Sequence, residues 1–292
     1  MFRGTFTALV TPFRDGEVDF AALENLIESQ IAAGINGLVA VGTTGESPTL
    51  THEERENVIR KCIEIGKGRC RVVAGTGSYS TGDAIEATKR AETLGANGAL
   101  VVAPYYNKPS QEGLFRHFKA IADATALPII LYNIPGRCGV DVNADTVVRL
   151  ADACPNIVVI KEAGGSVERV SELRNRLPDS FTILSGDDSL TLPFMSVGAA
   201  GVVSVASNLF PSEVCALVVA YECGDAKSAE KLHRQMFPLF KDLFIEPNPV
   251  PVKTALAWQG KISGECRLPL CEMSEANQAR LRKTFEAFER EK

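Results

Sequence analysis

A chain of 292 residues, 45% hydrophobic and 23% charged, has the makeup of a globular protein with material for one large core. Its net charge of −5 argues against nucleic acid or an anionic membrane as the main partner. No stretch approaches the roughly 20 unbroken apolar residues of a membrane span, and Met1-Phe2-Arg3-Gly4-Thr5 lacks the long apolar region of an export signal, so a cytoplasmic protein is expected.

From the N-terminus one pattern repeats: a short apolar strand, a turn rich in glycine or threonine, then an amphipathic helix. Residues 5–10 read as the first strand, with a helix over 20–33. The second strand, 37–41, ends in Gly42-Thr43-Thr44-Gly45-Glu46, and Thr51-His52-Glu53-Glu54 opens the next helix as a capping box. Strand three, 71–74, ends at Gly75-Thr76-Gly77-Ser78 before a helix over 81–94. Strand four, 99–102, ends at Pro104-Tyr105-Tyr106-Asn107-Lys108-Pro109 and leads to a helix over 111–123. Strand five, 128–132, carries Asn133-Ile134-Pro135-Gly136-Arg137 at its end, and a helix over 144–153 follows. The sixth strand, 156–161, stops on Lys161; the seventh, 182–184, ends in Ser185-Gly186-Asp187-Asp188. The eighth, 202–205, precedes Asn208 and Pro211, which open a helix towards Cys223.

Eight strand–helix units with no hairpin turn signal predict a parallel sheet closed on itself, an α/β fold of the TIM (β/α)8 barrel type over residues 1–224. An open doubly wound sheet would carry a glycine-rich fingerprint after its first strand, where this chain has Thr11-Pro12-Phe13. Beyond residue 224 the pattern is helical only, over 226–244, 252–259 and 274–291. Glu246-Pro247-Asn248-Pro249-Val250-Pro251 reads as a rigid connector within it. Residues 225–292 are therefore expected to form a helical region packed on the barrel.

The sixth strand is the most informative. Ile157-Val158-Val159-Ile160 is a run of β-branched residues suited to a strand buried on both faces, and the glycines after Glu162-Ala163 mark its carboxyl end, where Ser166 is placed to cap a helix. Lys161 thus sits where the strand leaves the core. With an ordinary pKa of about 10.4, roughly one lysine amine in a thousand is unprotonated at neutral pH, and desolvation is what makes such an amine a Schiff-base nucleophile. A lysine snorkelling into solvent is the alternative use of the same position.

In such a barrel the loops after the strands build the site, and Thr43, Thr44, Tyr106, Tyr132, Arg137, Lys161 and Gly186 all fall at strand ends. The Tyr132 ring belongs to the core and its hydroxyl to the mouth, where a neutral phenol passes protons without a metal. Thr43 and Thr44 offer hydroxyls and backbone N–H groups to a carboxylate, or bond only their own turn. Arg137 is a fork for a second carboxylate or a surface ion-pair partner. Tyr105-Tyr106 also suits packing against a second subunit. Asp187-Asp188 is read as helix capping, without a catalytic role. The three histidines, His52, His117 and His233, lie far apart without metal-ligand spacing, so no metal or cofactor is expected, and the eight cysteines, without a Cys-x-x-Cys pair, read mostly as reduced core residues.

Taken together, Gly42-Thr43-Thr44-Gly45-Glu46, Pro104-Tyr105-Tyr106-Asn107, Tyr132-Asn133-Ile134-Pro135-Gly136-Arg137, Ile160-Lys161-Glu162-Ala163 and Ser185-Gly186-Asp187-Asp188 resemble the dihydrodipicolinate synthases, pyruvate-dependent class I aldolases, in order and over essentially the whole chain. The resemblance implies a Schiff base between Lys161 and pyruvate, with Tyr132 as proton donor and acceptor. Thr43 and Tyr106 would complete a proton relay, Tyr106 reaching into a neighbouring subunit. It further implies that Thr44 and Val203 contact pyruvate, that Gly186 lines the pocket and that Arg137 holds the carboxylate of L-aspartate 4-semialdehyde, in a homotetramer built from tight dimers. Cys138 departs from the threonine usual after the arginine. Ser47, His52 and Tyr105 fit the lysine-feedback site of some members, but Arg55 and Tyr79 stand where regulated enzymes often carry histidine and asparagine, so strong inhibition by L-lysine is not expected. Two other readings stay open: a sister aldolase acting on a sugar acid, of the N-acetylneuraminate or keto-deoxy-sugar type, and a non-catalytic barrel used for binding.

Overall fold

The computed structural model describes residues 2–291. In chain order its strands are β1 (Gly4–Ala8), a short pair β2 (Phe13–Arg14) and β3 (Glu17–Val18), then β4 (Gly37–Ala40), β5 (Arg71–Gly75), β6 (Gly98–Val102), β7 (Ile129–Asn133), β8 (Ile157–Glu162), β9 (Thr182–Ser185) and β10 (Gly201–Ser204). All but β2 and β3 join one closed parallel barrel in the order β1-β10-β9-β8-β7-β6-β5-β4. Closure comes from β1, which pairs with β4 on one side and with β10 on the other, Gly4 opposite Gly201 and Thr7 opposite Ser204. The barrel expected from the alternation of apolar strand and amphipathic helix is therefore the fold.

The strands are short, apolar and buried on both faces, as a parallel sheet wrapped in helices requires. Helix starts follow the local chemistry. Thr51 accepts from the Glu54 N–H while the Glu54 carboxylate accepts from the Thr51 N–H, the reciprocal box read from the sequence. Ser166 accepts from the Arg169 N–H and starts the helix Val167–Arg176 right after β8. Among the described residues no helix is long and apolar enough to cross a membrane.

Two local features differ from expectation. The absence of hairpins is corrected by β2 and β3, an antiparallel pair joined through Asp15 (φ 54°) and Gly16 (φ 83°). A two-residue turn with both φ positive is what Asp-Gly favours; strands only two residues long carry no alternation to announce them. Second, the segment after β7 is one helical turn, Pro135–Cys138, with Pro135 at its start and Gly139 in the left-handed region at its end. It is this turn that presents Arg137.

The proline-rich stretch and the helix Val250–Trp258 contact the segments that follow β1 and β4. Lys253, fully buried, donates to Glu46 Oε1 at 2.6 Å and to the Thr11 carbonyl at 2.9 Å, with its ammonium 4.2 Å from the centre of the Phe13 ring. The other Glu46 oxygen accepts from the Arg267 N–H at 3.0 Å, and Arg267 itself pairs with Glu54. Glu46 ends the Gly42-Thr43-Thr44-Gly45-Glu46 loop, so this buried pair ties residues of the helical region to the loop after β4. Removing one partner strands a charge in the core. Lys253→Met is expected to lower unfolding free energy by about 3–5 kcal/mol, and Glu46→Gln combined with Lys253→Met to restore most of it. Denaturant melts of the single and the double variant would show this, and a Lys253→Met protein as stable as the parent would contradict the pairing.

Candidate active site

Strand pairing brings the central residues together. Tyr132 of β7 lies opposite Lys161 of β8 in the ladder, so both side chains point the same way, into the barrel mouth. The Lys161 amine is 4.1 Å from the centre of the Tyr132 ring. Lys161 is only 6% exposed, and burial lowers its pKa to about 7; Arg137 pushes in the same direction, while Asp188 favours the ammonium. About half the amine is then free near neutral pH, against roughly one part in a thousand for a solvated lysine. Burial raises the Tyr132 phenol above its ordinary range, with Arg137 and a hydrogen bond with Thr43 acting the other way. The phenol is thus neutral and able to donate.

Next along each strand, Asn133 and Glu162 face outward. Glu162 is completely buried yet fully engaged: it accepts from Arg169 Nε at 2.8 Å, the Gly164 N–H at 2.7 Å and Asn133 Nδ2 at 3.0 Å. Asn133 Nδ2 also donates to Asp141 at 2.7 Å. The network clamps β7 to β8 one residue from the reactive pair. A charged residue inside an apolar strand requires such partners, and its place directly after Lys161 in that strand is the one sequence signal for Glu162.

Asp187 and Asp188 part company. Asp187 caps the turn, accepting from the Ser189 N–H at 2.8 Å, as expected. Asp188 turns inward, buried, and accepts from the Ser204 hydroxyl at 2.5 Å and the N–H groups of Val205 and Ala206 at 2.9 and 3.0 Å. Burial raises its pKa to about 6 against the effect of those donors. Reading the pair as capping alone therefore undervalues Asp188, which binds the end of β10 and is the acid facing Lys161 electrostatically.

Gly186 follows β9 where a Cβ would lie 3.1 Å from Lys161 Cε and 2.8 Å from Ala163 Cβ. A side chain there would press on the reactive lysine. Val203 is buried in β10. The loop after β4 is strained: Val41, β-branched and buried, has φ 57°. Its carbonyl would lie 2.2 Å from a Cβ at Gly75, so only glycine allows that turn. Beyond it Thr44, buried, accepts from Asn248 Nδ2 at 3.0 Å, and Arg137 Nη2 donates to the Asn248 carbonyl at 3.2 Å. Asn248 belongs to the proline-rich connector; it lies 204 positions from Thr44, and no local pattern links them.

Tyr106 is the exception. It is 90% exposed on the loop after β6, with φ 70°, and stands outside the Lys161–Tyr132 cluster of its own chain. Ser47, His52 and Tyr105 share a separate cavity of about 520 Å³ with Arg55 and Tyr79. There Arg55 donates to the Ser47 carbonyl at 2.7 Å, and the Tyr79 and Tyr105 rings meet edge to face at 5.3 Å.

The site can form an imine: a free, desolvated amine stands beside a neutral phenol, with hydroxyl and guanidinium donors around the mouth. Acetylation of Lys161 by trace acetic anhydride, mapped by peptide mass, should rise with pH through about 7 and level off above it. Asp188→Asn should move that midpoint to lower pH, because the charge favouring the ammonium is lost. A midpoint at the ordinary 10.5, or one raised by Asp188→Asn, would contradict the assignment.

The model of the Dihydrodipicolinate synthetase family matches residues 1–288. The 4-hydroxy-tetrahydrodipicolinate synthase of Endomicrobium trichonymphae is 51% identical over 288 residues, covering 99% of both chains. That of Aquifex aeolicus (strain VF5) is 50% identical, covering 99% of this chain and 98% of its own. Among solved structures, the 4-hydroxy-tetrahydrodipicolinate synthase from Methylacidiphilum fumariolicum SolV superposes with a TM-score of 0.98 at 57% identity, covering 99% of this chain and 97% of that one. The dihydrodipicolinate synthase from Aquifex aeolicus superposes at 0.97 and 50% identity, covering 99% and 98%. By family match and end-to-end identity, the chain belongs to the dihydrodipicolinate synthetase family.

Proposed function

We propose that the buried Lys161–Tyr132 pair makes this chain a lyase of the Schiff-base class, a 4-hydroxy-tetrahydrodipicolinate synthase that condenses pyruvate with L-aspartate 4-semialdehyde in diaminopimelate and lysine biosynthesis. The activity and substrates rest on relatives of that name at about half identity over their full length. The residue roles rest on one observation above all: a buried lysine amine held 4.1 Å from the ring centre of a buried tyrosine.

In this reading the Lys161 amine attacks the ketone carbon of pyruvate, and water leaves as the imine forms. Tyr132 supplies and retrieves the protons, relayed through Thr43. Loss of a methyl proton gives an enamine that attacks the aldehyde carbon, and ring closure by the semialdehyde's own amine releases Lys161. Thr44 and Val203 hold pyruvate, Gly186 leaves room for it, and Arg137 holds the carboxylate of the semialdehyde. Neither metal nor cofactor enters these steps. Tyr106 completes the relay in a neighbouring subunit of a homotetramer made of tight dimers, a role that suits its 90% exposure on its own chain. Residues 1–224 supply the catalytic barrel and 225–292 a helical region that braces it through Lys253 and Asn248. A cytoplasmic setting suits eight unpaired cysteines. Ser47, His52 and Tyr105 form a regulatory cavity in which Arg55 and Tyr79 disfavour strong inhibition by L-lysine.

Incubation with pyruvate and borohydride should add one 1-carboxyethyl group per chain, the reduced imine, mapped by peptide digestion to Lys161, and Lys161→Ala should lower turnover by about three orders of magnitude or more. An adduct on another lysine, or turnover of a sugar acid in place of the semialdehyde, would refute the reading. Tyr106→Phe should reduce turnover while leaving the melting temperature unchanged; unaltered kinetics would remove it from the relay.

A further inference from the structure

Resting on that reading of the site, we infer that Asn248 is a positioning residue: its side-chain amide fixes the hydrogen-bond polarity of Thr44, so that the Thr44 hydroxyl proton is presented to the keto-acid carboxylate. A threonine hydroxyl has one proton to give and lone pairs to receive. Asn248 Nδ2 fills a lone pair of Thr44 at 3.0 Å, and among the described residues no protein acceptor takes the Thr44 proton. That proton is left for a ligand, and a carboxylate accepts only. Without the amide the hydroxyl is free to rotate and meet an anion with its lone pairs.

Three further observations support the assignment. Asn248 is 5% exposed, and its side-chain oxygen is buried without a hydrogen-bond partner, a cost that fold stability does not explain and that retention of the amide N–H does. The residue lies between Pro247 and Pro249, each with a fixed φ, and the Val250 N–H closes back on the Pro247 carbonyl at 3.0 Å. Its place is thus set before any ligand arrives. Finally, the main-chain carbonyl of the same residue accepts from Arg137 at 3.2 Å. One residue therefore touches the holders of both substrate carboxylates, Thr44 through its side chain and Arg137 through its backbone, and substitution separates the two.

Asn248→Asp keeps the shape but replaces a donor by an acceptor, which would draw the Thr44 proton to itself and set a negative charge beside the incoming anion. The test is the pyruvate dependence of borohydride trapping at Lys161, measured with steady-state constants for both substrates. Asn248→Asp should raise the half-saturating pyruvate concentration by about tenfold or more, and Asn248→Ala by less. The KM for the semialdehyde and the melting temperature should change little, since the backbone contact to Arg137 stays. In a Thr44→Val background Asn248→Ala should add almost nothing, because both changes remove the same donor. Asn248→Asp with undiminished pyruvate affinity, or Asn248→Ala and Thr44→Val effects that simply multiply, would overturn the inference while a Lys161 adduct in the parent protein upholds the site. No adduct in the parent would overturn both. If Asn248→Asp does not fold, the Ala and Val pair decides by the same criterion.

Discussion

Everything at the mouth of this barrel depends on keeping water from one ammonium group. Lys161 lies at the end of a strand whose neighbours on both sides are apolar and parallel, and the medium favours the neutral amine more than Asp188 favours the cation. The balance matters more than either part. Burial with no opposing carboxylate would hold the amine neutral but leave any cationic form of it poorly supported; a closer acid would keep the proton on. Asp188 is attenuated by three donors from the end of β10, so its influence is graded rather than that of a full ion pair.

The polar groups around the amine are placed by buried networks. Glu162 and its partners lock β7 against β8, and Asp188 locks the turn after β9 to β10. Glu46 and Lys253 hold a loop whose Val41 occupies a conformation that β-branched residues avoid. Each carboxylate is buried, each is satisfied by specific donors, and each sits within a few residues of a group assigned to chemistry. Charge is here used for placement, since a misplaced partner leaves a desolvated ion behind and is strongly disfavoured.

Much of this was legible in the chain. The barrel follows from the repeat of apolar strand and amphipathic helix, and the place of Lys161 near a strand's carboxyl end from a β-branched run that stops on a basic residue shortly before two glycines. What escaped had no one-dimensional signature. Asp187 and Asp188 are the same residue twice, and which one turns inward depends on the bend between them. Asn248 reads as one polar residue among prolines until the fold sets it against Thr44. The β2–β3 hairpin is too short to alternate. Tyr106 is the opposite case: its motif is plain, but its own chain leaves the ring in solvent, away from Lys161 and Tyr132.

The closure of the sheet has a consequence for the newly made chain. Until Gly201–Ser204 has emerged from the ribosome, β1 lacks one of its two partners and stays an open edge, with bare N–H and C=O groups that other strands are able to join. The partners of Glu46 and Thr44 arrive later still, at Lys253 and Asn248. Most of the polypeptide must therefore be synthesised before the mouth of the barrel is fully assembled. During that interval the nascent chain has its reactive lysine without the surroundings that activate it, and its main hazard is pairing with a neighbour.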